Sequence, residues 1–248
     1  MEIMMHLAAQ YLAAAAIGFL PEKKDDSHTN LGFDVLTGSL RTHPLSEDGD
    51  QLALNYHSFA LEWISPTGTS VLSLDGTNHA KVLDWLNEIS NEALGKPYHY
   101  YFHYELPYTL DNAYIFSLKD PAELQELLRL RTLAQTVLTA TLKKHQLTSA
   151  IRIWPHHFDT GAYAQINQGS KTALGLGLAI PDTLCTAHYF YISGYNEQGA
   201  INTTDFPKPS IGTWKNEGFK GGMLATTNLK EEQALSFFDE TIAQYKSQ

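Results

Sequence analysis

Apolar positions recur at helical spacing in four stretches of the chain, and each stretch carries its own punctuation. Residues 4–20 are apolar and rich in alanine, the residue of highest helix propensity, with Gly18 and Pro21 as stop signals. Residues 77–94 open on Thr77 and Asn78 as capping candidates and place Val82, Leu86, Ile89 and Ala93 on one face. Gly95 and Pro97 end that stretch. The stretch 121–145 has Asp120 at its N-cap, Pro121 at the first helical position and Glu123 in a capping-box position. Its stripe runs Leu124, Leu127, Leu128, Ala134, Val137, Leu138 and Leu142. Residues 229–246 follow Thr227 and Asn228 and turn Leu235, Phe238, Ile242 and Tyr245 inward.

Strand-like runs fill the intervals at 52–56, 59–64, 71–74, 98–105, 114–118, 151–154, 162–166, 173–180 and 188–195. Residues 200–222 read as a long loop anchored by Trp214 and Phe219, the kind that serves as a lid or binding loop. The expected fold is therefore α+β, mostly antiparallel sheets with about four packed helices. The order helix, His- and Asp-bearing turn, strands, Thr-Asn-capped helix occurs twice. It suggests two pseudo-repeated halves, 3–94 and 121–246, within a single compact unit, 1–248.

Composition narrows the function classes. Of 248 residues, 27 are acidic and 17 basic, so the net charge is −10 and a nucleic-acid partner is disfavoured. Cys185 is the one cysteine, which excludes an internal disulfide and a Cys-rich zinc site. The N-terminal apolar stretch lacks the positive flank of a signal peptide, its only early charge being Glu2. Interrupted by His6 and Gln10, it is expected to be a buried helix of a cytoplasmic protein with no membrane partner.

The 11 histidines supply metal ligands and proton carriers. As a strand, 98–105 would place Tyr98, Tyr100, Phe102 and Tyr104 on one face and His99, Tyr101, His103 and Glu105 on the other. A second candidate is His157 with Asp159, His156 facing the opposite way. A His and a carboxylate two apart on a strand can bind one metal, and the form recurs at Asp26/His28, His103/Glu105 and His157/Asp159. His103, Glu105, His157 and Asp159 are thus the candidate catalytic residues and the candidate ligands of a divalent metal. His156, His28, Asp26, Tyr101 and Trp214 are candidate substrate contacts. His6, His43, His57, His79 and His145 have no such company in the sequence. A facial-triad oxygenase built on His157, Asp159 and His188 lacks an arginine after Arg152 to hold an oxoacid co-substrate. No nucleophile elbow, P-loop or dinucleotide fingerprint occurs.

The segments Trp154–Asp159, Tyr104–Tyr108, Asp25–Asn30 and Asn216–Gly221 resemble, together, an uncharacterised bacterial protein family of Bacteroidetes type with a Trp-Pro-His-His-Phe-Asp motif. The resemblance covers essentially the whole chain. It is similar, more distantly, to a domain of unknown function with a Trp-x-x-Phe-Asp-like segment after a long helix. The resemblance implies a soluble bacterial protein and brings no established reaction. Two functions fit the residues: a His/carboxylate enzyme performing hydrolysis of a small polar molecule, with or without metal, or a non-catalytic small-molecule-binding module with a Tyr/Trp-lined pocket.

Overall fold

The structure, a computed structural model, describes residues 1–106, 108–166 and 171–247. The chain divides into two units: Met1–Thr132 with Ile153–His156, and Leu133–Arg152 with His157–Gln248. The fold class is α+β, as the pattern of apolar positions requires.

In the first unit α1 (Glu2–Phe19) leads into a five-stranded antiparallel meander and then α2 (His79–Leu94). The strands are β1 (Gly32–Asp34), β2 (Ser39–Arg41), β3 (Gln51–Asn55), β4 (Ala60–Ser65) and β5 (Gly68–Ser73), paired in chain order. Helix α1 meets the length and composition of a membrane-spanning segment, and about two-thirds of it is buried. Its alanines let it lie close to β3, with Tyr11 wedged against Phe116 and Tyr100. Asn78 caps α2 by accepting from the Lys81 amide (2.9 Å), and Gly95 ends it at φ +64. Asn78→Ala is expected to cost about 1 kcal/mol, read as a lower urea midpoint at unchanged m-value.

The second unit begins in α3 (Pro121–His145), which starts in the first. It continues through β6 (Arg152–Ile153), β7 (Thr160–Gln165), β8 (Ala173–Ala179), β9 (Tyr189–Asn196) and the short β10 (Gly199–Ala200). It closes with β11 (Thr213–Lys215), β12 (Gly221–Ala225) and α4 (Glu231–Lys246). The sheet order is β11-β12-β9-β8-β7-β6, with β10 paired to β9. One face of β8 and β9 presents Leu174, Leu176, Leu178, Phe190 and Ile192 to Val137 and Leu138 of α3 and Phe237, Phe238 and Ile242 of α4. Phe190 meets Phe238 edge to face at 5.6 Å. Each such buried ring contributes about 2–3 kcal/mol.

Several expectations need correction. Residues 98–106 are not a strand, although their side chains alternate inward and outward as expected. Alternation belongs to any extended chain; a strand also needs a ladder partner, and this segment runs along a helix. Likewise 114–118 forms only one isolated bridge, between Ile115 and Asn78. The three-residue strands β1, β2 and β11, the last inside the expected loop 200–222, lack the length from which alternation can be read, and β12 begins in the last two residues of that loop. Thr227 and Asn228 do not cap α4. Asn228 sits at φ +55 in a turn, and the N-cap is Lys230.

Candidate functional site

The extended segment after α2 forms a strap along α1, running antiparallel to it. Its inward side chains take hold of the helix in order. Tyr98 donates to the Tyr11 carbonyl (3.0 Å), Tyr100 packs on the Tyr11 ring, Tyr104 donates to Gln10 Oε1 (2.7 Å), and Tyr108 donates to His6 Nδ1. Burial raises the pKa of Tyr98, Tyr100, Tyr104 and Tyr108, so all four phenols stay protonated. Pro107, inside one of the family-like motifs, lies outside the described residues.

His6 and Gln10 are one helical turn apart, so they share a face of α1. Both reach the same acceptor, the Pro155 carbonyl: His6 Nε2 at 2.6 Å and Gln10 Nε2 at 2.8 Å. Because a carbonyl can only accept, Nε2 of His6 carries the proton and Nδ1 is the acceptor for Tyr108. Burial pushes His6 down to about 4; the hydrogen bond to Pro155 opposes this, and Arg131 lowers it further. His6 is a neutral imidazole at pH 7.

Above this buried tie lies a row of rings. Trp154 meets His156 at 6.2 Å, His156 meets Tyr104 at 5.5 Å, and Tyr104 stacks on Phe102 at 5.3 Å. His103, also beside Tyr104 (5.4 Å), donates from Nε2 to Asp26 Oδ2 at 3.0 Å. Asp26 stands at φ +55, a left-handed position that Asp tolerates, in a loop closed by Thr29 donating to its carbonyl. His43 braces that loop through Asn30 Oδ1 (2.9 Å) and the Ser27 carbonyl (3.1 Å). The His103 and Asp26 side chains remain 39% and 47% exposed, open to an incoming molecule.

Of the residues singled out from the sequence, the first unit brings Asp26 to His103 and sets His156 beside Tyr104. Tyr101 and Glu105 share the outward face with His103. His28 is buried, its Nδ1 accepting from the Lys23 amide (3.3 Å), and serves the loop. His157 and Asp159 belong to the second unit and do not follow strand alternation. Phe158 between them takes φ +58, rare for a bulky residue, and is buried while His157 faces solvent. Asp159 accepts from the Tyr191 hydroxyl at 2.5 Å. Trp214 packs edge-on against Phe206 and Tyr245 and donates to the Pro207 carbonyl.

The chain matches no family model, no curated protein and no solved structure. Among the described residues, no three His, Cys, Asp or Glu side chains are grouped to hold a metal ion. Two clefts open elsewhere. One of about 910 Å³ is lined by Lys144, His145 and Lys246. Its cations are already engaged at the C-terminal end of α3, Lys144 and His145 by Asp239 and Lys246 by the His145 carbonyl. Another of about 590 Å³ is framed by Asp48, Asp50 and Glu92. The buried Asp50 there is held by Trp63 Nε1 (3.0 Å) and the Ser46 hydroxyl (2.6 Å).

Sequence reasoning set aside His6 and His79, and both prove to be bound into the first unit's core. His79 Nδ1 is hydrogen-bonded to the Tyr11 hydroxyl (2.7 Å), and burial lowers its basicity. The overlooked signal was two polar residues at spacing i, i+4 in an otherwise apolar helix, because buried polar groups must find partners.

Proposed function

We propose that the first unit binds a small polar molecule bearing a ring, which lies against Trp154, His156 and Tyr104 and is hydrogen-bonded by His103. The contact of His103 with Asp26 beside the Tyr104–His156 ring pair carries this reading. Aromatic faces supply apolar area while the imidazole and carboxylate fix orientation, the mixture that small-molecule sites use. Three of the four segments behind the family resemblance border this place, and the protein is taken as a soluble bacterial protein of the cytoplasm. Metal-assisted hydrolysis through His103, Glu105, His157 and Asp159 is not part of the reading, since among the described residues no three such side chains are grouped to hold a metal ion.

One observation favours a catalytic use of the same pair. With its Nε2 proton directed to Asp26, His103 keeps the Nδ1 lone pair for a substrate proton, and the carboxylate fixes the tautomer. The test is a set of ring-bearing polar metabolites scored by thermal stabilisation of wild type and of Asp26→Asn. Losing the charge-assisted hydrogen bond is expected to weaken binding about tenfold. Turnover that falls much further than affinity would favour catalysis, and equal stabilisation of both proteins would overturn the site.

A further inference from the structure

The site just described has a buried titratable group beneath it that recognition itself does not use. His6 is 2% exposed, yet it joins two separate pieces of the site's floor. Through Nδ1 it holds Tyr108, where the strap ends; through Nε2 it holds the carbonyl of Pro155, the residue before His156. Gln10 repeats the arrangement one turn later, holding Tyr104 and the same carbonyl. The two sides of the ring row are therefore tied through one helix face. Only the His6 tie can be altered by a proton.

We propose that His6 is a proton-operated latch on this site: the neutral imidazole ties Tyr108 to the Pro155 carbonyl, and a proton taken up at Nδ1 releases the strap from the His156 side. The inference rests on the binding reading above for its purpose, though not for its chemistry. The proton comes from solvent and adds to the Nδ1 lone pair. That removes the acceptor for the Tyr108 hydroxyl and places a cation where water cannot reach it. The charges facing His6 come from several elements: Glu2 on its own helix favours the cation, whereas Arg131 of α3 and His156 of the segment after β6 oppose it. Tyr108, kept protonated by burial, contributes no compensating negative charge. With the closed-state imidazole held down to about 4, the cation is accommodated by opening the tie and exposing the ring.

The test is hydrogen exchange of the full chain from pH 7.5 to 4.5, corrected for the intrinsic pH dependence of exchange. Below about pH 6.5, protection of residues 98–106 and 153–156 is expected to fall tenfold per pH unit, reaching about 100-fold at pH 4.5. Strands β3 and β4 of the same unit keep their protection. In His6→Gln the slope disappears. A wild-type strap with flat protection, or one whose loss His6→Gln reproduces, overturns the latch. Should His6→Gln fail to fold, Tyr108→Phe serves. It deletes only the hydroxyl and should exchange at pH 7.5 as the wild-type strap does near pH 5; wild-type protection in Tyr108→Phe overturns the proposal. Failure of every ring compound to bind would refute the binding reading and leave these exchange results standing, so the two failures are distinguishable.

Discussion

Gly177→Ala is expected to destabilise the second unit by about 3 kcal/mol, at the upper end of ordinary overpacking. A Cβ at that position would stand 2.4 Å from the Thr160 carbonyl oxygen and 2.6 Å from the Tyr191 hydroxyl. The carbonyl belongs to the β7–β8 ladder, in which Gly177 pairs with Gly161 of β7 on one side and with Tyr191 of β9 on the other. It cannot retreat without breaking that pairing. The tyrosine cannot retreat either without losing Asp159. The glycines of β8 are therefore seats for tyrosine rings: Tyr191 lies over Gly177, and Tyr195 over Gly175. Chemical denaturation followed by far-UV circular dichroism measures the cost. A change below 0.5 kcal/mol, of the order of a neutral surface substitution, would show that the tyrosine is not seated on the glycine.

The second large effect is loss of stability in acid. His6 is lowered to about 4 in the folded first unit, against 6.5 for an exposed imidazole. The unfolded chain therefore binds more protons between these values, and stability rises with pH across that window. The contribution is complete above pH 6.5 and is lost as pH falls towards 4, a change of about 3 kcal/mol. His79, lowered by burial, adds a loss of the same sign. Asp34 behaves differently. Desolvation works against its charge, but hydrogen bonds from Leu36 and Thr37 and the nearby Arg41 keep its carboxyl below the usual range, so its contribution disappears only at lower pH. Urea midpoints at pH 7 and pH 4.5 should differ markedly in wild type and much less in His6→Gln. Equal differences in the two proteins would remove His6 from the account.

Much of the architecture is legible along the chain where local chemistry decides it. Asp120 and Pro121 mark the start of α3 because an N-cap acceptor and a fixed φ suit a helix opening, and the Asp120 carboxylate does accept from the Ala122 amide. Asn78 and Gly95 bracket α2 for similar reasons. The face assignment of 98–105 was legible too, with Tyr98, Tyr100, Phe102 and Tyr104 inward and His99, Tyr101, His103 and Glu105 outward. Its partner was not, because alternation does not say whether an extended segment meets a strand or a helix. The meeting of Asp26 with His103 spans 77 positions and depends on a left-handed turn at Asp26. No spacing rule reports such a contact. His6 was misjudged because its company comes from Tyr108 and Pro155, both more than a hundred positions away.

The central claim is that Asp26, His103, Tyr104, His156 and Trp154 form one recognition site. The most direct measurement is the imidazole carbon–proton NMR spectrum of the whole protein, recorded while small ring-bearing polar compounds are added singly. The account predicts that a binding compound shifts the His103 and His156 resonances together and saturably, and that Asp26→Asn weakens the response. Compounds that bind while both rings stay unmoved, shifting His145 beside the cleft of the second unit instead, would contradict it.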